Sequence, residues 1–152
     1  MTRVNECMTG NVVTVDREAS CHDAVARMAR NKIRHLPVVD RAGLLCGIVT
    51  DRDLRHRLFA ADVFPSIGTV PVEQLLSNVR VADVMSQPVV SVAPDADLQE
   101  AARVMAERKL GSLPVVDRER VVGIVTETDV LRRIVGADAC CSEVEAIVVS
   151  YP

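Results

Sequence analysis

The chain carries one pattern twice, and that duplication limits what it can fold into. Residues 4–54 are echoed by residues 81–130: Met8 matches Met85, Met28 matches Met105 and Pro37 matches Pro114, each at an offset of 77. The offset falls to 76 at Gly47 and Gly123, so the second copy is one residue shorter between these landmarks. A repeat this long is one supersecondary unit used twice, and such a unit seldom buries its apolar face alone. The copies are expected to pack on each other, with any bound molecule between them.

Each copy opens with a β-branched run, residues 12–15 or 89–92, which predicts a strand. Apolar positions at three-to-four spacing follow and predict a helix: Ala24, Val25, Met28, Ala29 and Ile33, then Leu98, Ala101, Ala102, Met105, Ala106 and Leu110 in the second copy. Ser20 with Asp23, and Asp97 with Glu100, read as N-caps. Leu-Pro-Val-Val-Asp at 36–40 and 113–117, a polar turn, and Gly-Ile-Val-Thr at 47–50 and 123–126 predict two hairpin-linked strands. The proline sits near the first strand's start, where a missing N–H matters least. A last helix opens at Thr50 and at Thr126. Each copy therefore reads βαββα, an α/β (α+β) half. The chain divides into a first repeat at 1–57, a linker at 58–78, a second repeat at 79–137 and a tail at 138–152. A helical turn is expected at 72–76 of the linker. Ile147, Val148 and Val149 of the tail fit an edge strand or an oligomer contact equally well.

Composition excludes several classes of function. With 152 residues and 49% hydrophobic content, the chain can form one substantial core or two half-domains sharing one. A net charge of −3 creates no global attraction to nucleic acid or anionic lipid. With no Trp, one Tyr and two Phe there is almost no platform for stacking bases. The amino terminus lacks a signal-like apolar run, and no apolar stretch approaches the ~18 residues of a membrane span, so a cytoplasmic protein is expected. Cys7, Cys21, Cys46, Cys140 and Cys141 show no C-x-x-C spacing, which fits a reducing compartment. Cys21 and Cys46 read as small core residues.

Chemistry concentrates where both copies end in Gly-Ile-Val-Thr-x-x-Asp: Gly47, Thr50 and Asp53, then Gly123, Thr126 and Asp129. Thr-x-x-Asp before a helix is also a capping box, so a purely local role is open on the residues alone. The h-P-V-V-D strand followed by G-I-V-T-x-x-D, in tandem over nearly the whole chain, resembles the CBS (cystathionine β-synthase) domain pair, or Bateman module. The Thr-Asp-Arg-Asp-Leu-Arg run and the connector into Val84 and Met85 resemble stand-alone bacterial CBS proteins of the acetoin-utilisation type.

The resemblance implies two βαββα repeats with pseudo-two-fold symmetry and an adenosine-containing ligand in the clefts between them, an adenine nucleotide (AMP, ADP or ATP) or S-adenosylmethionine. Carried over by position, Asp53 and Asp129 accept hydrogen bonds from the ribose hydroxyls with help from Thr50 and Thr126. An ionised carboxylate suits a vicinal diol because it offers two acceptor oxygens. Thr14 and Val15, and Ser91 and Val92, hold the adenine, with Pro37 and Pro114 beside them. For phosphate, copy one offers Arg52, Arg55, His56 and Arg57, with Arg34 and His35 before its Leu-Pro strand. Copy two offers Thr128, Arg132 and Arg133, with Gly111 and Ser112 where copy one has Arg34 and His35. On this reading the clefts differ, and the Asp53 cleft takes the more phosphorylated ligand.

An enzyme is not expected, because no G-x-S-x-G, H-E-x-x-H or P-loop pattern occurs. Metal binding by His22, His35 and His56 is not expected either. The competing readings are a nucleotide-independent interaction scaffold and an S-adenosylmethionine sensor. A homodimer is expected from apolar helices left on the rim. Output through an unidentified effector protein follows, since the chain shows no effector domain of its own.

Overall fold

The computed structural model describes residues 1–60 and 68–136. The expectations for Cys140, Cys141 and the 138–152 tail lie outside the described residues. The first copy runs β1 (Val15–Asp16), α1 (Cys21–Asn31), β2 (His35–Val39), β3 (Leu45–Thr50) and α2 (Asp51–Leu58). The linker contains α3 (Val72–Ser77), at the place where the sequence predicts a helical turn. The second copy runs α4 (Leu98–Arg108), β4 (Ser112–Asp117), β5 (Arg120–Thr126) and α5 (Glu127–Val135).

Local chemistry accounts for the helix ends. Ser20 accepts from the Asp23 amide while Asp23 accepts from the Ser20 amide, which closes a capping box on α1. On α4 Asp97 caps alone, accepting from the Gln99 amide at 2.9 Å rather than acting with Glu100. Both helices stop at a lysine in the left-handed region, Lys32 (φ 53°) and Lys109 (φ 55°). Their amides turn back onto Ala29 and Met28, and onto Ala106 and Met105.

The opening strands are shorter than their β-branched runs predict. In copy one only Val15 and Asp16 pair, in parallel with Val38 and Val39 of β2. In copy two the run reduces to a bridge from Val92 to Val115. Extended propensity needs a hydrogen-bonding neighbour, and Val12 and Val13 instead form the wall of a cavity described below. β2 lies between β1 and antiparallel β3, and β4 pairs antiparallel with β5.

The residue missing from copy two is a change of turn. Copy one connects its strands through residues 40–44, with Gly43 at φ 79° and Asp40 accepting from the Ala42 and Leu44 amides. In copy two Asp117 pairs with Arg120, leaving the two-residue loop Arg118–Glu119 at φ 48° and 68°. Two successive positive φ values define a type I′ turn, here built without glycine or asparagine.

Two apolar cores form, and each contains a segment from the other copy's sequence. Val81 and Met85, which open the second repeat, are buried with Val15, Cys21, Ala24, Leu36, Val38 and Val49 of the first. Val4, which opens the first repeat, is buried with Leu98, Ala101, Leu113, Val115 and Val125 of the second. Main-chain bonds fix both exchanges: Thr9 to Ile124 in both directions, and Ser86 to Ile48 likewise. The motif glycines make the exchange possible. A Cβ on Gly47 would lie 2.5 Å from Met85 Sδ, and one on Gly123 would lie 2.5 Å from Met8 Sδ. Burial in this core pushes the Cys21 thiol up to about 11, so it behaves as an apolar side chain.

Candidate functional site

Both Thr-x-x-Asp motifs are complete capping boxes. Asp129 Oδ2 accepts from the Thr126 amide and hydroxyl at 2.8 Å each, and the Asp129 amide donates to Thr126 Oγ1 at 3.4 Å. Asp53 repeats this with Thr50 at 2.9, 2.9 and 3.2 Å. Local structure thus explains the motif in both copies. It does so with one carboxylate oxygen: among the described residues the bonds all fall on Oδ2, and Oδ1 of each aspartate has no hydrogen bond.

What separates the two motifs is their surroundings. A cavity of about 300 Å³ opens beside Asp129, walled by Thr126, Glu127, Thr128 and Arg132 at the start of α5. The first copy contributes the rest: Lys32, Ile33, Arg34 and His35 at the α1–β2 junction, and Thr9, Asn11, Val12 and Val13 from the exchanged opening segment. Gly111 and Ile124 complete the lining. Three cations, Lys32, Arg34 and Arg132, stand on one cavity with the carboxylates of Glu127 and Asp129.

The sequence reading grouped Arg34 and His35 with the cations of copy one. The structure puts them on the cavity that Asp129 lines, because β2 begins beside the equivalent start of β4. A Cβ on Gly111 would lie 3.1 Å from His35 Nε2, so the imidazole rests on the position where copy two has no side chain. Burial, then the Arg34 charge, holds the His35 pKa below its ordinary 6.5, while Asp51, Glu127 and Asp53 pull it the other way.

The remaining sequence candidates do not line this cavity. Val15 is buried in the first core, and Pro37 and Pro114 are also fully buried, so none of the three offers surface to a ligand in this conformation. Ser112 is buried with an Oγ that has no hydrogen-bond partner. Thr14 neighbours the cavity wall and its carbonyl accepts from Arg27 at 3.1 Å. Thr50, Arg52 and Asp53 belong to the α2 terminus, while Ser91 and Val92 lie beside β4 through the bridge to Val115. Of the cations read with Asp53, Arg55 pairs with Asp51 at 3.0 Å and is an exposed helix-face group. Sequence reasoning did not assign Thr9, Asn11, Val12, Val13, Lys32 or Glu127 to the site. The match of Met8 to Met85 marked the opening segments as part of the repeat but not as exchanged.

Among the described residues no cluster of His, Cys, Asp and Glu is placed to hold a metal ion, and no helix is long and apolar enough to cross a membrane.

This fold and paired-motif geometry define a tandem-repeat α/β module. The CBS domain model matches residues 4–60 and 81–136, and the chain belongs to the CBS domain family, with two copies forming a CBS pair. A putative acetoin utilization protein from Vibrio cholerae is 34% identical with a TM-score of 0.73, covering 89% of this chain and 91% of that one. The structure of CBSX2 in complex with AMP is 30% identical with a TM-score of 0.72, covering 89% and 97%. The CBS domain pair of protein MJ0100, solved with 5′-methylthioadenosine and S-adenosyl-L-methionine, is 27% identical with a TM-score of 0.75, covering 90% and 98%. Curated relatives include a CBS domain-containing protein from Dictyostelium discoideum, 34% identical, of which the chain spans 88%. Two longer relatives from Methanocaldococcus jannaschii are spanned over only 32% and 46% of their length.

Proposed function

We propose that this chain is a non-enzymatic sensor of adenine nucleotides and that the cavity beside Asp129 is its binding site. The observation that carries this reading is the pairing of a half-committed carboxylate with three cations across one cavity. Asp129 Oδ2 holds the helix cap, and Oδ1 remains to accept from a ribose diol, a charge-assisted bond of the stronger class. Val12, Val13, Ile33 and Ile124 supply apolar surface for a purine, and Lys32, Arg34 and Arg132 supply charge for phosphates. The N-terminus of α5 adds to that field. AMP bound to CBSX2 and adenosine compounds bound to the MJ0100 pair support the ligand class.

On this reading the more phosphorylated ligand belongs to the Asp129 cleft, not to the Asp53 cleft that sequence order favours. A ligand touching both copies shifts their relative arrangement by its differential affinity for the two states. The signal then passes through the surface the module presents, to a second copy in a homodimer and to an effector protein.

Calorimetric titration with AMP, ADP, ATP and S-adenosylmethionine tests the proposal. Micromolar nucleotide binding that disappears in Asp129→Ala and survives in Asp53→Ala is the expected result. Tighter binding of S-adenosylmethionine would replace the nucleotide with a phosphate-free ligand whose sulfonium and amino-acid tail is net positive. Silence from folded, nucleotide-free protein with every ligand would leave the interaction scaffold.

A further inference from the structure

We propose that the C-terminal tail of this chain docks on the apolar face of its own α4 and α5 through Val144, Ile147 and Val148, as α3 docks on α1 and α2 in the first copy.

The first copy shows what such a cover does. α3 packs on α1, and its Leu76 is buried in the first core with Met28 and Leu54. Leu58, at the end of α2, is half-buried against that core. In the second copy the equivalent of Leu58 is Ile134, which is 75% exposed, and α5 has no buried residue. Leu131, also exposed, stands where α2 has Arg55, a cation paired with Asp51. The second copy therefore carries the more apolar helix face and has less packed over it. α3 leads into the opening segment of the second repeat, and the corresponding place before the first repeat is held by Met1 and Thr2. Met1 is fully exposed, and Thr2 accepts from the Leu98 amide and from Arg133, so neither supplies the cover.

The tail has the sequence, the charge and the reach to supply it. Residues 144–149, Val-Glu-Ala-Ile-Val-Val, echo the Val-Glu-Gln-Leu-Leu-Ser of α3: each opens with Val-Glu and sets apolar side chains at its first, fourth and fifth positions. Residues 137–152 carry Asp138, Glu143 and Glu145 and no Lys or Arg, while Arg132 and Arg133 are exposed in the last turn of α5. Opposite charges favour a tail that returns along the helix. Gly136 ends α5 at φ 94°, a conformation open to glycine, and turns the chain off the helix axis. The steps from Gly136 to Val144 then reach up to about 26 Å, nearly twice the roughly 14 Å length of α5. A segment tethered this closely acts at an effective concentration in the millimolar range, so it takes the face ahead of a second copy in dilute solution. α5 also carries Thr128, Asp129 and Arg132 on the cavity, so the tail is seated on a helix that a ligand there would touch.

The test is hydrogen exchange followed by mass spectrometry on the full chain, at two protein concentrations about tenfold apart, with Ile134→Glu and Val148→Asp beside the wild type. The amides of residues 144–149 should exchange more slowly in the wild type than in a free peptide of the same sequence, equally at both concentrations. Either substitution should speed them about tenfold or more, the share a buried branched side chain contributes. β4 and β5 should keep their protection in both variants. Val148→Asp changes no residue of either described core, so it decides the matter if Ile134→Glu disturbs the fold. Full-speed exchange of 144–149 in the wild type, or protection that survives both substitutions, would overturn the inference. Protection that grows with concentration would also overturn it, because the face would then belong to a second copy.

Discussion

Asp129 caps α5 through Oδ2, and on the proposed reading its Oδ1 accepts from a ribose diol, so the two roles are separable by substitution. Asp129→Asn retains an acceptor for the Thr126 amide and hydroxyl but removes the charge, so the cap survives and the ribose contact weakens. Hydrogen bonds to charged groups contribute about 1.5–3 kcal/mol, so nucleotide affinity should fall by roughly 10- to 100-fold with little change in melting temperature. Thr126→Ala should do the reverse at first order, lowering stability by about 1 kcal/mol through the lost cap. Calorimetry paired with thermal melts separates them; a lower melting temperature with unchanged affinity in Asp129→Asn would reduce the residue to a cap. The aspartate was legible in the sequence because its motif is local and repeated. Arg34 and His35 were visible as charged residues and were grouped with Asp53; that they also line the cavity beside Asp129 was not readable, since sequence proximity says nothing about which strand starts meet between the copies.

At the scale of elements, the two hairpins differ by one residue and solve the same reversal differently. The sequence showed the deletion, yet Arg118 and Glu119 carry no turn signature, so the type I′ geometry was not readable from composition. Left-handed conformations disfavour non-glycine residues by roughly 1–2 kcal/mol each. Glu119→Gly should therefore stabilise the protein by about 1 kcal/mol, seen as a higher urea midpoint with unchanged slope. In copy one the direction reverses. Gly43→Ala places a Cβ at φ 79° and 3.0 Å from the Arg120 guanidinium, so the same assay should show a lower midpoint. If Glu119→Gly leaves the midpoint unmoved or lowers it, the loop is relaxed by its flanking strands. The opening strands teach a related lesson: Val12 and Val13 have strand propensity, but where such a segment pairs is decided by neighbours that propensity does not name.

The whole molecule is not two copies laid side by side, because each core is completed by the other copy's opening segment. The repeat made the packing of copies on one another legible; the exchange was hidden because both openings carry the same Val-x-x-x-Met pattern, which gives no hint of which core each one enters. One face stays open. Leu131, Ile134 and Val135 of α5 are 60%, 75% and 69% exposed, whereas Leu54 on the equivalent α2 is buried in a core that also includes Leu76 of α3. If that face joins two chains, Ile134→Glu should shift sedimentation toward the monomer, and an unchanged distribution would place the dimer contact elsewhere. The exchange itself makes the sharper prediction. A fragment of residues 1–60 follows the sequence repeat but lacks Val81 and Met85, both buried in the first core. A fragment of residues 10–86 ignores the repeat boundary yet contains that core's buried residues and the Ser86–Ile48 main-chain bonds. Burying a valine side chain contributes about 1.5–3 kcal/mol, a large share of the stability of so small a unit. The 10–86 fragment should thus show a cooperative thermal transition by circular dichroism, while 1–60 melts without one. If instead 1–60 folds cooperatively, the opening segment of the second repeat is dispensable to the first core, and the two copies are independent units that merely touch.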